Sequence, residues 1–418
     1  MSRDLFGELK SLDGARSLLE AHFPGAAPSL EVEGVPLLKA GGRVLAQDVS
    51  APRDVPGFRR STVDGYAVRA GDTAGASEGL PAYLKRVGSV AMGEVPDLSL
   101  SAGEAAGIAT GGMLPEGADA VVMFEYTDSP LGDELEVVRP VTQEENVIGA
   151  DEDVARGQVV FTSGTYLRPS HVGVLSAMGF SEVPVWSRLR AVVFSSGDEI
   201  VPPGEIPLPG QVADMNGPTL TASLSGDGVE VQYAGILPDS AAAITAATRE
   251  GLVAADLALI SGGSSVGLRD VTGKVIDSLG PPGVLFHGVA MSPGKPIIAG
   301  KSAGSGAVFG LPGHPVSAQV VYTVLLRDLV HRLQGRGRVL PRPVVGAILG
   351  RSLAGPSGRT EYVRVRLKTE GQRILAEPIL GKSGLLSTLA LADGLVELTD
   401  ARRGMDAGQR VEVILLDN

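Results

Sequence analysis

At 418 residues, 44% hydrophobic and 20% charged, the chain has a globular make-up and exceeds what one core usually fills, so about two to four domains are expected. It has no cysteine, which excludes disulfides, thiolate metal sites and cysteine nucleophiles, and its net charge of −12 argues against a general nucleic-acid binder. Aromatic residues make up only 4%, while 57 glycines and 28 prolines point to many tight turns between recurring aliphatic runs.

The first segment, MSRDLFGELKSLDGARSLLEAHF, mixes acids with apolar residues and reads as neither a signal peptide nor a membrane span. Later apolar stretches are short, and GLVAADLALI is interrupted by Asp256. No segment is expected to cross a bilayer, and the cytoplasm is the expected compartment. Residues 1–50 predict one or two amphipathic helices followed by the apolar run GRVLAQDV. Short strands punctuated by glycine follow, predicting a β-rich insert domain over 51–146. Residues 147–187 contain turns and a helix from Arg168 to Gly179, opened by Pro169 and closed by the glycine. With 1–50 they form an N-terminal domain of mixed structure.

Between 188 and 335 the rhythm changes. RLRAVVFSS, VEVQYAGIL, DLALISGG and GAVFGLPG read as buried strands. Helical patterns alternate with them: MNGPTLTASLSG, DSAAAITAATREGLVAA, RDVTGKVIDSLG and finally PVSAQVVYTVLLRDLVHRL. Such alternation predicts an α/β domain with a doubly wound parallel sheet. The remainder, 336–418, is β again and predicts a terminal barrel-like domain. It carries thirteen Lys and Arg against nine Asp and Glu, a net +4 that leaves −16 elsewhere. That excess suits an anionic ligand, though chance scatter of charge explains it equally well.

In an open α/β sheet, ligands bind beyond the carboxyl ends of the strands. The four strands run into SSGDE with Glu199, LPDS with Asp239, SGGSSVGLRD with Asp270, and GLPGHPVSA opening a helix at Pro315. Parallel topology puts all four loops on one edge. Gly262, Gly263 and Gly267 would let backbone N–H groups approach an anion, and the GLPGHP turn would offer a helix start to phosphate. Glu199, Asp239 and Asp270 together suit a hard divalent cation such as Mg²⁺. A lone aspartate at a strand end more often caps a helix than holds a metal. Four such loops on one edge nevertheless favour a phosphate-containing ligand. His287 and His314 have no ligand spacing and read as packing or hydrogen-bonding residues; Tyr66 and Trp186 read as core.

Eight segments taken in order resemble the molybdopterin molybdenumtransferases and the gephyrin E domain, over nearly the whole chain. They are PGFRRSTVDGYAV (56–68), ATGGMLPEGADAVVMFE (109–125), VFSSGDEI (193–200), SGGSSVGLRD (261–270), SPGKP (292–296), FGLPGHPVSA (309–318), RTEYVRVRL (359–367) and GKSGLLSTLALADGLVEL (381–398). The resemblance implies an elongated homodimer of four-domain subunits whose β domains complete the active site across the interface. It implies a reaction in which molybdate, or tungstate, and adenylyl-molybdopterin give the molybdenum cofactor and AMP with a divalent metal. Contact with the adenylylating enzyme of the preceding step is a further implied partnership. Carried over, the functional residues are Asp64 of DGYA, Thr110, Glu199, and the metal and phosphate acids Asp239 and Asp270. The oxyanion site would comprise Ser265, Lys295, Arg364 and Ser383, with Pro312, Gly313 and Pro315 in the phosphate turn.

Four positions depart from the commoner family pattern. Leu268 stands where an acid is usual, Gly288 and Ser292 where basic residues are frequent, and His314 where asparagine is frequent. The missing cations weaken the expected oxyanion site. They leave a rival reading, a scaffold protein that keeps the fold without efficient transfer.

Overall fold

The computed structural model describes residues 9–129, 132–262, 266–355, 358–385, 387–399 and 404–416, with the side chains of 266–270 left out of the description. Gly263 and Ser265 therefore lie outside the described residues. Gly267, Leu268 and Asp270 are placed only as part of a helical backbone, Val266–Ser278.

Period-two burial builds the central domain. In the strand Arg190–Ser196, Ala191 and Val193 face one core while Val192 and Phe194 face another. Leu257 and Leu259 alternate with Ala258 and Ile260 in the same way. Both faces of the sheet are thus covered, as a parallel sheet requires. Full burial of each large side chain contributes about 1.5–3 kcal/mol.

The strand order is Glu230–Leu237, Arg190–Ser196, Leu257–Gly262, Ala307–Leu311, Ile298–Lys301, Gly283–His287. The first four are parallel, as expected; the last two join through antiparallel pairings, so the sheet is mixed. Asp256, the residue that interrupts the apolar run, ties the amino edge together. Its carboxylate accepts from the Arg190 N–H at 2.8 Å and from the Ser29 hydroxyl.

The helix Leu12–His22 starts at Ser11, whose hydroxyl accepts from the Gly14 N–H. Its buried face, Leu12, Ala15 and Leu19, joins the central core. The rest of the N-terminal domain has a separate core that includes Leu45, Leu167, Leu175 and Val185. Its helix runs Pro169–Met178 and ends at Gly179 with φ +93°, as the Pro and Gly positions imply.

The insert domain is a six-stranded sheet with cores on both faces; adjacent Ala67 and Val68 point into different ones. Tyr66 and Trp186 are partly buried against their respective cores. The terminal domain closes into a barrel. Thr360–Glu370, Arg373–Pro378, Val344–Leu349, Arg410–Leu415 and Gly394–Leu398 pair in a ring, the last returning to the first. Among the described residues no helix is long and apolar enough to cross a membrane.

The long final helix of the central domain runs as Pro315–Val321, a π-turn at Tyr322–Leu326, and Arg327–Leu333. It carries a buried ionic cluster around Asp227. The carboxylate accepts from Tyr322 Oη at 2.6 Å and Arg327 Nε at 2.7 Å, with His331 Nε2 at 3.3 Å. Burial alone would raise the Asp227 pKa, but hydrogen bonds from His331, Tyr322 and Arg327 pull it down to about 2. Its folded pKa is therefore depressed, and the stability it adds is present above about pH 4 and lost as pH falls toward 2. Asp227→Asn is expected to destabilise the protein by about 2 kcal/mol at pH 7 and by much less at pH 2.5. Denaturant melts at both pH values check this; an equal loss at both would remove the ionic cluster as the cause.

Candidate active site

The sheet and the barrel meet at a cavity of about 330 Å³. One wall is the loop Ser292–Pro296; another comes from the barrel strand carrying Arg359, Glu361 and Arg364, and from the turn with Gly381 and Ser383. The walls are held in register by a short parallel pairing of Met291 with Thr360 and Ser292 with Glu361. Gly294 sits in the loop at φ +115°, where an added Cβ would lie 2.5 Å from Val321 Cγ2. Only glycine lets the loop press this closely on the long helix.

Ser292, Lys295, Arg364 and Ser383, far apart in sequence, therefore line one cavity, together with Ser317. Arg359 also lines it, so three cations stand against one acid, Glu361. Arg364 is buried, 8% exposed, and no carboxylate pairs with it among the described residues. Burial lowers its pKa, since removal from water disfavours the charged form. A buried guanidinium without a counter-charge is a receptor for an anion. Gly288, by contrast, does not line the cavity; its N–H donates to the Ile297 carbonyl and its own carbonyl accepts from Lys10 N.

The GLPGHP turn is joined to this cavity. Val316 N–H, at the start of the long helix, donates to the Ser383 carbonyl at 3.2 Å. The helix start expected to offer free donors to phosphate thus gives one of them to the turn with Gly381 and Ser383. His314 is exposed and makes no side-chain cap bond. The Gly313 carbonyl accepts from Asn216 Nδ2 at 2.9 Å.

At the carboxyl edge of the sheet, Asp239 is half-buried; it accepts from Ser196 Oγ at 2.8 Å, and its N–H donates to Asp198 at 3.2 Å. Glu199 is exposed. The described residues contain no group of three acids or histidines able to hold a metal. Glu199 and Asp239 offer only hard oxygen donors, the kind Mg²⁺ takes. Gly262 has φ +152°, and a Cβ there would lie 2.2 Å from the Ser196 carbonyl. Its lack of a side chain lets the two strands pack closely. On the same edge Ser195 Oγ and Ser261 Oγ, and Asn216 Oδ1 at the start of the helix Asn216–Gly226, are buried with no partner among the described residues. Ser195 and Ser261 are direct neighbours in the sheet.

In the insert domain, Asp64 accepts from Thr110 N–H at 2.7 Å and Thr110 Oγ1 at 3.0 Å. The Thr110 backbone bond, then its hydroxyl, lowers the Asp64 pKa and keeps the carboxylate charged. Both residues are exposed and neither lines the cavity.

Sequence reasoning missed Arg359, Ser317, Thr388 and Asn216. Asn216 had a signal, because ADMNG opens a helix on the same sheet edge as the four chosen loops.

A four-loop α/β edge together with a cationic cavity defines a multidomain α/β protein with a site suited to an anion. Residues 10–179 match the MoeA N-terminal region (domain I and II), 192–332 a probable molybdopterin binding domain, and 346–416 the MoeA C-terminal region (domain IV). The chain is 35% identical over 386 residues to molybdopterin molybdenumtransferase 2 of Mycobacterium tuberculosis, covering 91% of this chain and 94% of that one. It is 32% identical to the molybdopterin molybdenumtransferase of Haemophilus influenzae, covering 96% and 98%. The solved molybdopterin biosynthesis MoeA protein of Pyrococcus horikoshii OT3 superposes with a TM-score of 0.83 at 30% identity, over 98% and 100% of the two chains. The chain belongs to the molybdopterin molybdenumtransferase (MoeA) family of molybdenum-cofactor biosynthesis.

Proposed function

We propose that this chain is the transferase that places molybdenum on the pterin dithiolene, consuming adenylyl-molybdopterin and releasing AMP. The cationic cavity carries the reading: a buried Arg364, with no carboxylate partner among the described residues, beside Lys295, Arg359, Ser292 and Ser383 suits a tetrahedral dianion such as molybdate or tungstate. Ser195 Oγ, Ser261 Oγ and Asn216 Oδ1, without partners among the described residues, supply hydrogen-bonding capacity for the pterin nucleotide. In the reaction a molybdate oxygen attacks the adenylyl phosphorus, the bond from that phosphorus to the pterin phosphate breaks, AMP departs with the attacking oxygen, and the dithiol sulfurs bind the metal as a further oxygen leaves as water with their protons. The cavity's cations hold the oxyanion in position beside the phosphate. Mg²⁺ bound by Glu199, Asp239 and Asp270 would supply neutralisation of phosphate charge. The same reading makes the protein a homodimer that completes its site with Asp64 and Thr110 of the second subunit and receives its substrate from the adenylylating enzyme.

AMP release from adenylyl-molybdopterin on adding molybdate tests the proposal. A folded protein that releases none would favour the scaffold reading. Ser292 lines the cavity where a cation is frequent in the family. One added unit charge at about 4 Å contributes up to roughly 4 kcal/mol at an effective dielectric near 20, before desolvation. Ser292→Lys is therefore expected to lower the half-saturating molybdate concentration about tenfold. The maximal rate should change far less, because the charge binds ground and transition states alike. An unchanged molybdate dependence would show that the cavity is not the oxyanion site.

A further inference from the structure

We propose that Thr388 is a positioning residue for the oxyanion site, fixing the Arg364 guanidinium without cancelling its charge. The inference rests on the reading of the cavity as the molybdate site. Arginine brings five N–H donors on a long, flexible stem, so its usefulness depends on what holds the fork still. Here two neutral acceptors do so. Arg364 Nη1 donates to Thr388 Oγ1, and Nη2 donates to the Gly381 carbonyl at 2.7 Å. The Thr388 hydroxyl is itself committed, since it donates to the Leu385 carbonyl at 2.6 Å. Its proton thus points away from the guanidinium and a lone pair faces it. Thr388 is 8% exposed, so water does not compete freely for that lone pair.

The chemistry of position 388 matters because of what is missing beside Arg364. An arginine held by a carboxylate has its charge neutralised before any ligand arrives. Arg364 has no such partner among the described residues, and its Nε is buried without an acceptor. Two of its five donors are used by Thr388 and Gly381 and the Nε donor is buried, which leaves the second N–H of Nη1 and of Nη2 for an anion. A threonine at 388 therefore orients the fork while preserving both its charge and those two donors.

Thr388→Val keeps the branched shape and removes the acceptor. The half-saturating molybdate concentration is expected to rise about tenfold, with the maximal rate of AMP release changing far less, and Thr388→Ser should restore the molybdate dependence. Thr388→Asp separates positioning from folding. It should pair with Arg364, melt at or above the parent temperature, and still weaken molybdate binding by tenfold or more in titration calorimetry. Parent-like molybdate binding in both Thr388→Val and Thr388→Asp would overturn the proposal. So would a Ser variant as impaired as Val, which would assign the role to the methyl group. Arg364→Lys is the control for the underlying reading. If it leaves the molybdate dependence unchanged, the cavity is not the oxyanion site. If it weakens molybdate while the Thr388 variants do not, only the positioning role is lost.

Discussion

Asp239→Asn is expected to lower single-turnover AMP release about a thousandfold, a loss of roughly 4 kcal/mol of transition-state stabilisation. The carboxylate stands at the end of the strand Glu230–Leu237, on the edge where phosphate would lie, held by Ser196 and with its own N–H fixed by Asp198. Asparagine keeps the shape and can still accept from Ser196, so the melting temperature should hardly move. What disappears, on the proposed reading, is one negative charge that would face the reacting phosphate or its metal. Near-normal turnover by the folded variant would remove Asp239 from the chemistry.

Mixed dimers should show the second large effect. Asp64 and Thr110 are exposed and bonded to each other, yet neither reaches the cavity of its own chain. If they act on the second subunit's cavity, homodimers of Asp64→Ala and of Asp239→Asn should each be nearly inactive. A dimer pairing the two variants carries both lesions in one site and leaves the other whole. Such heterodimers are expected to regain about half the parent rate, a rise of about a hundredfold or more over either homodimer. Purified heterodimers that stay as inactive as their parents would refute the shared site.

Much of this was readable from the chain because burial leaves a local signature. The parallel strands, the Pro169 and Gly179 helix ends and the four edge loops follow from side-chain period, φ restriction and strand direction. The last two strands of the sheet, Ile298–Lys301 and Gly283–His287, were not assigned, because a pattern of apolar residues specifies a buried face and not its neighbour or direction. The same holds for Leu12–His22, whose apolar stripe announces a helix but not that it packs on the central domain. Family resemblance named Lys295, Arg364 and Ser383, whereas the surroundings that give them their force are non-local. Thr388 lies 24 positions from the arginine it holds. Asp227 lies 95 from Tyr322 and 104 from His331, so no spacing rule could have joined them.

The two-residue pairing of Met291 and Ser292 with Thr360 and Glu361 acts as a ruler between two separately packed cores. Lys295 is counted three residues along one scale from Ser292, and Arg364 three along the other from Glu361. Point substitutions that reshape either core leave the count intact, and so leave the gap between the two cations largely unaltered. Insertion of a single residue between 292 and 295 would shift one mark against the other without unfolding either half. In descendants of this chain, length should therefore be guarded more strictly than identity along those two short stretches.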